Sequence, residues 1–183
     1  NGFRCKLYTT PADELSYTVA NGEVTITGYK GSSGVLVIPE TIEDAPVTAI
    51  GNNALQSSAV TYVSMPDTVT SIGEYAFYRC FNLTQLHLPE GLTSAGTSAF
   101  EQCIKLTDVT IPSTLTVIPY RGFYGCDALP EITFPEGVVE ISGDGFRECD
   151  SLTTVNIPAS MTTLGTYCFS VCNSLTEFTI PET

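Results

Sequence analysis

A strict proline period governs this chain. Proline recurs in one column, with a first interval of 27 residues and later intervals of 23. The members of the column are Pro39, Pro66, Pro89, Pro112, Pro135, Pro158 and Pro181. A period of this size is the signature of a solenoid, in which each short unit buries its apolar residues only by stacking on its neighbours. The period therefore predicts the architecture before any single residue is considered.

Other residue types follow the same period. Phenylalanine, cysteine and leucine each hold a fixed column in successive units. These columns are Phe77, Phe100, Phe123, Phe146 and Phe169; Cys80, Cys103, Cys126, Cys149 and Cys172; and Leu83, Leu106, Leu129, Leu152 and Leu175. Two further apolar columns begin at Leu86 and Ile72 and end at Phe178 and Leu164. We expect all of these columns to point inward, where stacked coils bury them.

A short strand is predicted ahead of each proline. The run Leu86-His87-Leu88 alternates apolar and polar residues, which is the pattern of a half-buried strand. Every unit repeats this run in the same direction, so the strands must pair in parallel, with coil stacking in place of a helical crossover. Proline ends each strand because it has no amide to donate. The segment Val138–Ile141 fits either a short second strand or an extended run, and Ala76–Leu83 favours a single helical or 3₁₀ turn.

The N-terminal part departs from the repeat. Two alternating runs, Ser16–Ala20 and Glu23–Thr27, are joined by Asn21-Gly22, and this dipeptide suits the positive φ angles of a type I′ turn. The hairpin that this pattern predicts would cap the first coil, which otherwise exposes its core and an unpaired strand edge. The longer first interval places an insertion at Glu43–Val47.

Three segments follow from these patterns. Residues 1–15 are expected to form an N-terminal tail, and residues 16–38 a capping hairpin with an entry strand. Residues 39–183 are expected to form the solenoid, with an incomplete last repeat. The predicted fold class is a β-rich solenoid of stacked parallel strands with short helical or 3₁₀ turns.

The repeat unit resembles that of a known family. The run Ser71–Cys80 is close to the consensus of the leucine-rich repeat found in BspA-like surface proteins, and Val24–Pro39 resembles the entry segment of that family. The resemblance implies a right-handed leucine-rich solenoid on the surface of a bacterium or parasite, used for adhesion or host contact, and not an enzyme. An extracellular or cell-surface location follows from the resemblance only. The departures are local, and in one of them Pro119 stands where the other units carry Gly73 or Gly96.

The charge excludes some partner classes. The chain has 20 acidic residues against 7 lysines and arginines, a formal net charge of −13. Nucleic acids and anionic membranes call for basic patches, so we expect neither as a partner. No apolar run approaches the ~20 residues that span a bilayer, so we expect no membrane insertion. Acidic residues follow several of the periodic prolines: Asp67, Glu90, Glu136 and Glu182. They suggest an acidic ridge, which Ser113 and Ala159 interrupt. Such a ridge either favours solubility or holds Ca²⁺.

The seven cysteines have two interpretations. Free cysteine behaves as a small buried hydrophobe, which favours packed thiols in the cysteine column. Disulfides between adjacent coils would need side chains that converge, whereas side chains in one column point in parallel. Cys5 and Cys168 lie outside the column, and one spaced pair, Cys168 and Cys172, is weak evidence for a metal site. We predict no metal site and no cofactor.

Catalysis finds no support in the sequence. His87 is the single histidine and lies in a strand position that faces solvent. Stacking brings Ser64 and Asp108 near it, but many polar residues of a solenoid become neighbours in this way. We therefore predict no catalytic residue.

The surface remains as the source of function. We name as the strand face the two solvent-facing strand columns, which are regularly spaced and polar. The strand face consists of Tyr62, Ser64, Gln85, His87, Asp108, Thr110, Glu131, Thr133, Thr154, Asn156, Glu177 and Thr179. Repeat solenoids bind partners along such faces, although threonine is also simply a good exposed strand residue. A second candidate surface is a group of tyrosines in the turns: Tyr75, Tyr78, Tyr120, Tyr124 and Tyr167.

Two functions are consistent with this sequence. The first is a non-catalytic binding or adhesion module that recognises a protein or glycan partner through the strand face. The alternative is a spacer that holds another domain away from the cell surface.

Overall fold

The described part of the chain folds as a β-solenoid of about seven turns with almost no helix. The computed structural model describes residues 9–179; Cys5 and the segment from Ile180 to Thr183, with Pro181 and Glu182, lie outside the described residues. One 3₁₀ helix spans Ala12–Glu14. The strands are β1 (Leu15–Ala20), β2 (Glu23–Tyr29), β3 (Val35–Val37), β4 (Thr41–Ile42), β5 (Ala45–Ile50), β6 (Tyr62–Ser64), β7 (Ser71–Ile72), β8 (Gln85–His87), β9 (Ser94–Ala95), β10 (Asp108–Thr110), β11 (Val117–Ile118), β12 (Glu131–Thr133), β13 (Glu140–Ile141), β14 (Thr154–Asn156), β15 (Thr163–Leu164) and β16 (Glu177–Thr179).

Two rows of short parallel strands run along the stack. The strand face is built from β3, β6, β8, β10, β12, β14 and β16, and a second face is built from β5, β7, β9, β11, β13 and β15. Register follows the period: Gln85 lies opposite Asp108, and Glu131 lies opposite Thr154. The predicted parallel solenoid is therefore confirmed, and the segment that ends at Ile141 is a short second strand.

The predicted N-terminal hairpin is also confirmed. β1 and β2 pair antiparallel around Asn21 and Gly22, whose φ angles are 54° and 78°. β2 then pairs in parallel with β5 and so covers the first edge of the second face. On the strand face, the Thr10 amide donates to the Val37 carbonyl at 2.8 Å. Both strand rows thus begin with a partner that protects their edge.

The insertion in the first interval forms a tight hairpin. β4 and β5 pair antiparallel, and the residues between them, Glu43 and Asp44, have φ angles of 52° and 62°. Aspartate tolerates this left-handed region better than most residues, which suits Asp44 to the turn. The extra residues therefore leave the coil as a surface turn without disturbing the register of Ile50 opposite Ile72.

The turn segments differ from the expected helical or 3₁₀ turn. In the unit that starts at Tyr75, the Tyr78 amide donates to the Tyr75 carbonyl at 3.1 Å, as in a 3₁₀ turn. The intervening Phe77 amide instead donates to Ala99 of the next coil at 2.7 Å. Tyr75 and Arg79 have φ angles of 56° and 58°, which a right-handed helix excludes. The segment is a series of turns because alternate amides bond to the neighbouring coil.

Stacked phenylalanines form the centre of the core. The rings of Phe77, Phe100, Phe123 and Phe146 are fully buried, and successive centroids lie 5.5, 4.9 and 5.0 Å apart. Their interplanar angles are 26°, 19° and 9°, so the rings are stacked in parallel. This arrangement follows directly from a period that places each ring above the previous one.

The last described coil is an exception to the inward columns. Leu164 and Phe178 were expected to be buried, but they are 41% and 39% exposed. The described residues cover these side chains on one side only, so one face of each remains in solvent. Their counterparts one coil earlier, Ile141 and Val155, are fully buried.

We expect Phe123→Ala to destabilise the protein far more than Tyr124→Ala. Phe123 is buried between two rings, and large-to-small core changes of this kind cost about 3–5 kcal/mol. Tyr124 is partly exposed and stacks under Arg121 at 4.2 Å, a contact worth about 1 kcal/mol. Urea unfolding followed by circular dichroism measures both losses. Equal losses at the two positions would contradict this assignment of inward and outward columns.

Candidate functional site

The structure places all predicted site residues on the strand face. Their side chains alternate with buried core residues, so Gln85 and His87 are exposed on either side of buried Leu86. Tyr62, Ser64 and Thr154 are half-buried, and the remaining members from Gln85 to Asn156 are exposed. The face is therefore a continuous polar surface except at one place, between β10 and β12.

A threonine ladder holds most of this face together. The threonine that precedes most of these strands donates both its amide and its hydroxyl to the carbonyl of the equivalent position one coil earlier. For Thr84 and Thr61 these two distances are 2.9 and 3.0 Å. The ladder consists of Thr61, Thr84, Thr107, Thr153 and Thr176. Sequence reasoning missed this ladder, although the recurrence of threonine every 23 residues was its visible signal.

Pro130 interrupts the ladder. It stands where the other coils carry threonine, and it has neither an amide hydrogen nor a hydroxyl to donate to Thr107. β10 ends one four-stranded sheet and β12 begins a three-stranded one, and the two strands are not paired. Among the described residues, no main-chain hydrogen bond joins 107–111 to 130–134. A single substitution in the repeat thus opens the strand face.

The interruption forms a groove of about 430 Å³. It is lined by Thr107, Asp108, Val109, Thr110, Ile111, Pro130, Glu131, Thr133 and Pro135. Val109 is partly exposed at its floor, whereas the equivalent Leu86 and Ile132 are buried. Four of the predicted site residues, Asp108, Thr110, Glu131 and Thr133, line the groove. The groove therefore combines an apolar floor with a polar, acidic rim.

A second proline interrupts the other strand row at the same coil boundary. Pro119 stands at the position that Gly96 occupies one coil earlier. The Gly96 amide donates to the Ile72 carbonyl at 2.9 Å, and proline has no amide hydrogen for the equivalent bond. β9 and β11 consequently end and begin separate sheets. The turn segments between the two interruptions stay joined, because Phe100 donates to Gly122 at 2.9 Å.

The neighbourhood of His87 does not resemble a catalytic triad. Its Nδ1 lies 3.2 Å from the Thr110 hydroxyl, and its Nε2 lies 3.9 Å from the Asp108 carboxylate. Within residues 9–179, no hydrogen bond joins His87 to Ser64, which is its partner in the parallel register. The imidazole is therefore an exposed neighbour of the groove, positioned by stacking.

The acidic residues after the prolines serve the main chain. The Asp67 carboxylate accepts the Glu90 amide at 3.1 Å, and the Glu136 carboxylate accepts the amides of Ala159 and Ser160 at 3.1 Å each. Within residues 9–179, no group of three potential ligands is arranged to hold a metal ion. Glu182, the last member of the suggested ridge, lies outside the described residues. Hydrogen bonds to the next coil account for the positions of the Asp67 and Glu136 carboxylates.

The cysteine column forms a second ladder, and its members are free thiols. Each Sγ–H points to the carbonyl of a residue in the preceding coil, as from Cys103 to Phe77 at 3.3 Å. Burial raises the pKa of Cys80 to about 12 and raises those of Cys103 and Cys126 well above the ordinary value. The preference for free thiols is confirmed for the six described cysteines; Cys168 and the column members from Cys80 to Cys149 are buried, and Cys172 in the last coil is half-buried.

Arginine side chains pack against some of the turn tyrosines. Tyr120 and Tyr167 are 48% and 64% exposed, but Arg121 covers the ring of Tyr124. Arg121 also pairs with buried Glu101 at 3.2 Å. These arginines were not singled out in the sequence, and they convert part of the tyrosine group into an internal network.

A family comparison identifies the repeat. The family model described as BspA type leucine rich repeat region matches residues 48–176 as 6 copies. The chain belongs to this family. No curated protein sequence matches the chain significantly. Within residues 9–179, no helix has the length and apolar character needed to cross a membrane.

Solved structures of bacterial leucine-rich repeat proteins share the fold. The leucine-rich repeat protein of T. pallidum superposes with a TM-score of 0.89 at 31% identity, covering 93% of this chain and 81% of that one. A leucine-rich repeat protein of Bacteroides ovatus gives 0.81 at 36% identity, with 92% and 46% covered. A leucine rich cell surface protein of Faecalibacterium prausnitzii gives 0.72 at 29% identity, with 92% and 53% covered. The chain thus spans only about half of the last two proteins.

Amide hydrogen exchange is expected to be uneven along the strand face. On average, the amides of residues 108–111 and 131–134 should exchange faster than those of 85–88 and 154–157, because amides such as that of Ile111 have no partner across the groove, whereas the latter segments lie in uninterrupted ladders. The difference is measurable by mass spectrometry of the native protein, and Pro130→Thr should reduce it. Uniform protection across the four segments would show that the groove is closed in solution.

The buried thiols are expected to be unreactive in the native protein. Because the thiolate is the nucleophile, a thiol with a pKa near 12 reacts slowly with Ellman's reagent at pH 8. In a Cys5→Ser variant, which leaves only the described cysteines, the reaction should become fast and complete in guanidinium chloride. Rapid labelling of more than one thiol in the native variant would contradict the packed cysteine column, since Cys172 alone is half-buried.

Proposed function

We propose that this protein is a non-catalytic binding module displayed at a cell surface, and that its strand face recognises a protein or glycan partner. The observation that carries the proposal is the groove between β10 and β12, which opens on this face and is lined by residues such as Asp108 and Glu131. Ligand sites are typically concave and largely apolar, with a few polar groups that fix orientation. The groove meets this description, with Val109 at its floor.

The family supports a repeat module of this kind. Leucine-rich and other solenoid proteins use the extended surfaces of stacked repeats for binding. The similar protein of F. prausnitzii is a leucine rich cell surface protein, which supports an extracellular location for this chain. The acidic character of the molecule, with a net charge of −13, supports a partner other than a nucleic acid.

We expect simultaneous alanine substitution of Gln85, Asp108 and Glu131 to weaken partner binding without unfolding the stack. All three side chains are exposed, so their removal leaves the core intact. The full chain and the variant would be compared on arrays of extracellular proteins and of glycans, with circular dichroism as the folding control. A matched variant, Glu40→Gln with Glu74→Gln, removes exposed acids elsewhere and should bind as the parent does.

Each outcome of this comparison decides between functions. Saturable binding that the triple substitution weakens supports recognition through the strand face. Equal binding by parent and triple variant would remove the strand face as the site. The absence of saturable binding to any protein or glycan would favour the spacer that holds another domain away from the surface.

A further inference from the structure

We propose that the groove between β10 and β12 takes an extended cationic peptide segment of a partner protein, which adds to the strand face as a strand. This inference rests on the proposed binding function and narrows the partner from a protein or glycan to a peptide with lysine or arginine side chains. Three features of the groove support it: unpaired strand edges, an acidic rim, and matching dimensions.

The first feature is the pair of free strand edges. β10 pairs with β8 on one side only, and β12 pairs with β14 on one side only, so among residues 9–179 their facing edges have no strand partner. In most intact coils, the residue after the strand donates its amide to the next coil, as Leu88 does to Thr110 at 3.3 Å and Phe134 does to Asn156 at 3.2 Å; Met65, after β6, is an exception. The equivalent Ile111 makes no such bond across the groove.

These edges favour a peptide over other ligands. An extended peptide carries alternating donors and acceptors at the spacing of a strand, and strand addition to a free edge is a common mode of peptide recognition. The main chain along the groove gains from such a partner, because its unpaired amides and carbonyls would form hydrogen bonds with the peptide backbone beside the apolar floor. A glycan offers hydroxyl groups but no such periodic main chain.

The second feature is charge. Asp108 and Glu131 lie on the two sides of the groove, and both are exposed. The two columns of the strand face contain neither lysine nor arginine. The nearest basic side chain in the sequence, Lys105, donates to Asn82 at 3.0 Å. A partner with basic side chains is therefore the electrostatic complement of this rim.

The third feature is size. β10 and β12 each contain three residues, from Asp108 to Thr110 and from Glu131 to Thr133. Three residues of an extended strand span about 10 Å, and their alternate side chains point to opposite faces. One side chain would then contact Val109 at the floor, while its neighbours would reach the carboxylates on the rim.

Synthetic probes test this proposal directly. The main probe is a blocked peptide of alternating lysine and valine, titrated against the full chain by fluorescence anisotropy at constant ionic strength. The first control is the same peptide with N-methylated alternate amides, which removes donors but keeps charge. The second control replaces lysine by glutamate, and the third is a chitosan oligosaccharide, which is a cationic glycan. We expect the main probe to bind at least about tenfold more tightly than each control, given the worth of a few hydrogen bonds.

Variants of the chain locate the site. Pro130→Thr restores the donors of the threonine ladder and should weaken the peptide about tenfold or more by closing the groove. Pro119→Ser, which makes the matched change in the second face, should leave peptide affinity unchanged. Asp108→Asn with Glu131→Gln retains the groove and should weaken the peptide about three- to tenfold by removing its charge.

Several results would overturn the inference. Equal binding of the N-methylated peptide or of chitosan would show that charge alone is recognised. Equal effects of Pro119→Ser and Pro130→Thr would place the peptide elsewhere. Self-association of the chain that Pro130→Thr abolishes would make a second copy the occupant. If the peptide fails while array binding still depends on Gln85, Asp108 and Glu131, the binding function stands and the peptide inference falls.

Discussion

The main-chain hydrogen bond between successive coils determines the rest of this molecule. Because one residue rests on its equivalent 23 positions away, as Asp108 does on Gln85, every side chain lies above another of the same column. The phenylalanine stack, the threonine ladder and the cysteine ladder all follow from this one register. Proline is the residue that cannot donate to the register, so its position has effects well beyond its own coil.

The period made most of the fold predictable. A fixed register requires identical columns to superpose. This reasoning alone predicted that Phe100 stacks on Phe123, and that His87 is exposed whereas Leu86 beside it is buried. The hairpin at Asn21 was predictable because few residues adopt its φ angles without strain. The turns were less predictable, since apolar residues three apart suit a 3₁₀ turn as well as a chain whose alternate amides bond to the next coil.

The groove could not be predicted from one repeat unit. The strand-face residues themselves, such as Asp108 and Glu131, were identified from their alternation. Nothing in that alternation distinguishes β10 and β12 from the other strands. Pro119 was recognised only as a departure from glycine, and Pro130 lies outside the periodic proline column. The effect of each proline depends on which carbonyl would accept a hydrogen bond from an ordinary residue at that position. That carbonyl belongs to another coil.

The molecule tolerates this opening because the interruption is confined to its strand rows. Between Pro119 and Pro130, the turn segments remain joined by three main-chain bonds, including the one from Gln102 to Tyr124 at 2.7 Å. Apart from Val109 at the floor, the apolar side chains next to the groove stay buried, with Ile132 at 1% and Phe134 at 3% exposure. A regular scaffold thus departs from its own rule at one coil boundary while its core stays closed. Proteins commonly break their own local sequence pattern at functional sites. In this protein, the break leaves free strand edges on the face that carries the acidic rim.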